Sequence, residues 1–203
     1  VRLKQLISSV PEQLLKENKN YRYNLIRKGA THNLYHSELE YLTELHLVNK
    51  IERANIKNDN GKLHMEMHAK QFRLYPNDSG LLYSLILSTT QELSDETEEE
   101  STNTSHDKLF QLLSEAYLLQ TLSQKNITTA YWESSSMAKL DFIGEFDSCI
   151  MPIEIKYYEN KRSKSLHAFR QKYPIESYIK FSMQNFETNK QYNKLKRHID
   201  FWC

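Results

Sequence analysis

The stretch 139–156 carries the residues of this chain best suited to do chemistry. It runs Lys139-Leu140-Asp141-Phe142-Ile143-Gly144-Glu145-Phe146-Asp147-Ser148-Cys149-Ile150-Met151-Pro152-Ile153-Glu154-Ile155-Lys156. The pattern predicts two short apolar strands, the first bearing Asp141 and the second bearing Glu154 and Lys156. Residues two apart on a strand share a face, so Glu154 and Lys156 point one way and Ile155 the other. Two carboxylates and an ammonium on adjacent strands would bind a divalent metal and orient a water for attack on a phosphodiester. The competing reading is a hairpin whose exposed face is simply charged, since Glu-x-Lys is common on half-buried strands.

Other clusters are weaker. His64 and His68 stand four apart, a spacing that suits a metal on a helix; on a strand they only share an exposed face with Glu66. Asp78, in Asn77-Asp78-Ser79-Gly80, reads as a helix cap. Lys161, Arg162, Lys164, Arg170 and Lys172 follow the Glu154 strand and would suit a phosphate backbone; a solvated helix face is the commoner source of such charge. Tyr157 and Tyr158 would stack on bases or pack in a core.

The elements that must position these residues can be read from periodicity. Apolar residues at helical spacing open the chain and are interrupted by Pro11. Residues 21–26 read as a strand or a helical turn. Thr31 is placed to cap a helix bearing Leu34, Tyr35, Leu39, Leu42 and Leu45. A strand follows over 47–51, then a turn at Asn58-Asp59-Asn60-Gly61. Leu63, Met65 and Met67 next alternate with His64, Glu66 and His68, and a strand resumes over 72–75. Helices followed by a two-stranded wing is the order of a winged-helix domain. The run 92–100 holds six acids and no base and predicts a linker. Beyond it come a helix over 108–124 with Glu115 beside its apolar stripe, the Thr129–Trp132 strand, the Asp141 and Glu154 strands, a helix over 165–173 and a strand over 177–182. A connecting helix allows the last two strands to lie parallel. The tail 188–203 has no assignable element.

Composition bounds the function. At 203 residues the chain suits one large or two small domains. Its 27 basic and 26 acidic residues nearly cancel, although residues 151–203 hold eleven Lys or Arg against five Asp or Glu, a local net of +6. Two cysteines give neither a disulfide framework nor zinc spacing, which fits a reducing, cytoplasmic setting. No apolar run approaches membrane-spanning length. No G-x-x-x-x-G-K-[ST] loop occurs among only four glycines, so ATP hydrolysis by that loop is excluded within these residues. The chain opens on Val1, and a longer polypeptide upstream is expected.

Several stretches recur in one order: Phe72-Arg73-Leu74-Tyr75-Pro76-Asn77-Asp78-Ser79-Gly80-Leu81-Leu82, Ser114-Glu115-Ala116-Tyr117-Leu118, Ala130-Tyr131-Trp132, Leu140-Asp141-Phe142-Ile143, Pro152-Ile153-Glu154-Ile155-Lys156 and Lys164-Ser165-Leu166. In this order they resemble the C-terminal region of prokaryotic ATPases of the AAA superfamily, where a winged helix precedes a domain of uncharacterised function. The second half looks like the PD-(D/E)XK, restriction-endonuclease-like fold. The resemblance implies an α/β chain: a winged-helix domain over 1–92, an acidic linker or loop over 93–106 and a PD-(D/E)XK mixed-sheet domain over 107–203. It implies catalytic roles for Asp141, Glu154 and Lys156, with Asp141, Glu154 and Glu115 holding Mg²⁺ or Mn²⁺. Lys161, Arg162 and Lys164 would contact DNA or RNA, and the partner in cis would be an upstream ATPase domain, with no membrane involved. Lys139 and Leu140 precede Asp141 where the family usually has an acid, and the helix around Glu115 has less glycine than is usual. The alternative is a regulatory or protein-interaction module without catalysis.

Overall fold

The computed structural model describes residues 1–93, 102–135, 138–156, 164–175 and 177–182. Pro11 sits at the start of a helix, where its missing N–H costs nothing, and so splits the opening into α1 (Arg2–Ser8) and α2 (Val10–Leu14). Residues 21–26 contain a 3₁₀ turn at Tyr23–Leu25. Thr31 occupies the N-cap position of α3 (His32–Glu44) with extended backbone angles, although its hydroxyl makes no capping bond.

The three short strands expected after α3 are one long hairpin, β1 (Val48–Asp59) and β2 (Lys62–Pro76). Its two-residue turn uses Asn60 and Gly61, both at positive φ, the combination that matches the twist of flanking strands. Asp78 accepts the Leu81 N–H at 2.6 Å and so starts α4 (Ser79–Leu93) as expected. The second half follows as α5 (Thr102–Gln124), β3 (Thr128–Glu133), β4 (Lys139–Phe146), β5 (Cys149–Lys156), α6 (Lys164–Lys172) and β6 (Ile179–Ser182).

All six strands form one mixed sheet in the order β2-β1-β3-β4-β5-β6. β5 and β6 are parallel, with α6 making the connection, as the helix between them predicts. β1 and β3 are also parallel, Arg53 standing at the register of Tyr131. The hairpin expected as a wing is thus an edge of the common sheet. Of the span expected as a linker, 93–106, residue 93 closes α4 and residues 102–106 open α5, and sheet and core join the elements on its two sides. On the α5 side of the sheet, Leu6, Val10, Tyr35 and Leu42 share a core with Tyr75, Leu112, Leu119, Tyr131, Phe142 and Ile153. On the α6 side, Ala130, Trp132, Leu140, Ile143 and Ile150 pack with Leu166 and Phe169; the Trp132 and Phe169 rings meet edge to face at 5.0 Å. None of the described helices is long and apolar enough to cross a membrane.

Because the α4 cap rests on one side-chain bond, Asp78→Ala should cost about 1 kcal/mol in urea unfolding, with no change in fold by circular dichroism.

Candidate functional site

The apolar stripe of α5, including Leu112, Ala116, Leu119 and Leu122, lies on the sheet and carries Glu115 inward with it, leaving its side chain 0% exposed. A carboxylate so placed must be matched by donors or cations. Lys19, from the segment after α2, puts Nζ 2.6 and 2.7 Å from the two Glu115 oxygens. The Tyr75 hydroxyl donates to it at 2.9 Å and the Gln111 amide at 3.1 Å. The same Gln111 nitrogen donates to the Ile155 carbonyl at 3.1 Å, tying α5 to β5.

Burial pushes the Glu115 carboxyl above its ordinary 4.5, while the Lys19 ammonium pulls against that rise. For Lys19, burial pulls down, but the Glu115 and Asp141 carboxylates prevail and hold the ammonium above its ordinary value. Burial also keeps the Tyr75 phenol protonated, well above the usual tyrosine range, so it remains a donor.

Asp141 reaches this cluster through an irregularity. Trp132 pairs with Leu140 and Ala130 with Ile143, so Tyr131 of β3 faces two residues of β4, Asp141 and Phe142. Such a bulge re-aims a side chain. Phe142 packs on the α5 side, whereas Leu140 and Ile143 pack on the α6 side. Asp141 lies 3.6 Å from Lys19 Nζ and 3.7 Å from Arg73 Nη1, on the α5 side with Glu115. Arg73 stacks its guanidinium over the Tyr131 ring at 4.0 Å and lies 3.4 Å from Glu133.

Glu154 does not join them. Ile153 and Ile155 both pack in the core on the α5 side, so Glu154 between them faces the α6 side, where it is 4% exposed. Lys180 of β6 stands at its register. Had β4 been regular, the pair after Phe142 and Ile153 would have set Asp141 against Glu154 on that side. The sheet therefore brings Glu115 and Asp141 together and sets Glu154 apart. Lys156 closes β5 in phase with Glu154, its side chain lying outside the described atoms. Lys164 is exposed at the start of α6, while Lys161, Arg162, Tyr157, Tyr158 and the tail 188–203 lie outside the described residues. His64 is 4.0 Å from Asp59 on the exposed hairpin.

Among the described residues, no three His, Cys, Asp or Glu side chains are grouped to hold a metal ion. Glu115 and Asp141 instead engage two cations of the chain itself, Lys19 and Arg73, neither of which was expected at the site. Lys19 sits in the polar run Lys16-Glu17-Asn18-Lys19-Asn20, which gives no signal. Arg73 does give one: it is a lone charge within Phe72-Arg73-Leu74-Tyr75-Pro76, a run buried throughout.

Against this geometry stand the comparisons with known proteins. A family model described as Domain of unknown function (DUF4143) matches residues 111–199, less than half of the chain, from Gln111 beside Glu115 through β6. No curated protein and no solved structure matches the chain.

Removing the Lys19 ammonium leaves Glu115 buried without its cation, a loss of about 3–5 kcal/mol for a broken buried pair. Lys19→Met should lose stability in that range near neutral pH. The Glu115 carboxyl then rises further, so the folded state binds more protons than the unfolded state above pH 4.5. Stability of the variant should fall with rising pH more steeply than that of the parent, as urea titrations across pH would show.

Proposed function

We propose that this chain is a nuclease-like module that has exchanged phosphodiester chemistry for a holding role, acting as a regulatory or interaction part of an ATPase of the AAA superfamily. The observation that carries this reading is the Lys19 ammonium set between Glu115 and Asp141, with Glu154 on the far face of the sheet. Support for the nuclease-like lineage comes from the element order α5-β3-β4-β5-α6-β6 and from the meeting of Glu115 with Asp141. Support for the ATPase setting comes from the ordered motifs quoted above.

Mg²⁺ or Mn²⁺ fits the described side chains poorly. Magnesium prefers oxygen ligands in near-octahedral array, and the two carboxylates that do meet are already neutralised by Lys19 and Arg73. A divalent ion would have to displace an ammonium bonded to both Glu115 oxygens, in a setting where unpaired charge is costly. Without the metal, no hydrolytic step is assigned to Asp141, Glu154 or Lys156. Lys164, exposed at the start of α6, would suit a DNA or RNA backbone, which such a module would bind without cutting.

The test joins two measurements. Linear and branched DNA and RNA incubated with the protein in Mn²⁺ should stay intact. Calorimetric titration with Mg²⁺ or Mn²⁺ should give the same small heats for the parent, Asp141→Ala and Glu154→Ala. Cleavage that disappears in Lys156→Ala would overturn the reading.

A further inference from the structure

The two ends of the Lys19–Glu115 bond are held very differently. Glu115 lies on a helix of 23 residues against the sheet and is bonded to Tyr75 of β2 and, through Gln111, to β5. Lys19 belongs to a five-residue connection, 16–20, without helix or strand. Two buried anchors bound it, Leu14 at 2% exposure and Tyr21 at 7%. Tyr21 is fixed by its N–H to the Phe72 carbonyl at 2.8 Å and by stacking on the Phe72 ring. Between the anchors, Lys16, Glu17 and Asn18 are exposed, and Lys16 turns back to Glu12 of α2 at 2.8 Å.

Among the described contacts, only Lys19 ties this connection to the carboxylates. Its side chain is 18% exposed where that of Glu115 is 0%, so the ammonium has a short path to water. Two features reduce the cost of withdrawal. The withdrawn ammonium regains its hydration, which offsets part of the cost of parting from Glu115. The neighbouring Asn20 Oδ1 is buried without a hydrogen-bond partner, a penalty relieved if the connection lifts.

We propose that residues 16–20 are a clasp: it opens on its anchors at Leu14 and Tyr21, Lys19 leaves Glu115 and Asp141, and the six-stranded sheet stays paired. This rests on the reading of the carboxylate cluster as a holding site. The open form presents the Glu115 and Asp141 carboxylates to a cation from outside, and the closed form excludes it. The clasp thereby adds one reversible contact to the shared core that joins the helices before β1 to the second half.

Lysine labelling of the folded parent protein with an amine-reactive ester, read residue by residue by mass spectrometry, tests the opening. Lys19 should react on the order of 10–100-fold more slowly than Lys16, yet faster than global unfolding measured in urea permits. Labelling of Lys19 only at the global unfolding rate would overturn the clasp. A second arm uses Lys19→Ala with n-butylammonium chloride as the probe. A saturable rise in melting temperature beyond that given by matched sodium chloride, absent in the parent, is expected; equal effects of the two salts would count against it. Should Lys19→Ala fail to fold, the labelling result alone decides. Nucleic-acid cleavage in Mn²⁺ would sink the holding-site reading without altering either readout, so the two failures are distinguishable.

Discussion

A carboxylate sealed from water has to be neutralised or matched, and Glu115 sets that requirement for the whole molecule. The apolar stripe of α5 cannot lie on the sheet without drawing Glu115 inside. Once there, it recruits a lysine from the first twenty residues, a tyrosine from β2 and a glutamine from its own helix. These partners come from parts of the chain that would otherwise belong to separate units. The parallel pairing of β1 with β3 and the shared core on the α5 side reinforce the same union. Desolvation makes such a cluster modest in net stability but strict in geometry, since any one partner withdrawn leaves a charge stranded.

The second constraint is the alternation of a strand. Glu154 cannot reach the Glu115 cluster because its neighbours Ile153 and Ile155 are committed to the core on that side. Asp141 can, because one extra residue in β4 opposite Tyr131 turns it there. A single bulge therefore decides which carboxylates meet. Arg73, stacked on Tyr131 and facing Asp141 and Glu133, completes the internal neutralisation. Its Nε and Nη1, together with the Tyr131 hydroxyl, make no hydrogen bond among the described residues, so this side of the cluster is less fully satisfied than the side around Glu115.

Much of the fold is legible in the sequence because its signals are local. Asp78 three residues before the apolar run that starts at Leu81 predicts the α4 cap, Asn60-Gly61 predicts the hairpin turn, and the stripe from Leu109 to Leu122 predicts α5. The long β1–β2 hairpin is less legible: Ala69, Lys70 and Gln71 break the apolar alternation and fall in the irregularity between the Glu52–Phe72 and Arg53–His68 pairs, across which the strand continues. Joining that hairpin to the second half requires the single-pair register of Arg53 with Tyr131, which no local pattern announces. At the site, Glu115 and Asp141 are recognisable as residues and Glu154 as a motif position. Their sidedness is not, because a bulge adds one residue without changing composition. Lys19 is invisible for a different reason: an ammonium in a polar loop has the same local sequence whether it ends in water or against a buried acid.

The most direct test of this account is a double-mutant cycle on Lys19 and Glu115, with Lys19→Met, Glu115→Gln and the double variant unfolded in urea by two independent probes. The single losses should not add, with a coupling free energy of about 1–3 kcal/mol, and both halves of the chain should unfold in one transition. Additive losses within about 0.5 kcal/mol, or two separate transitions in the parent, would contradict it.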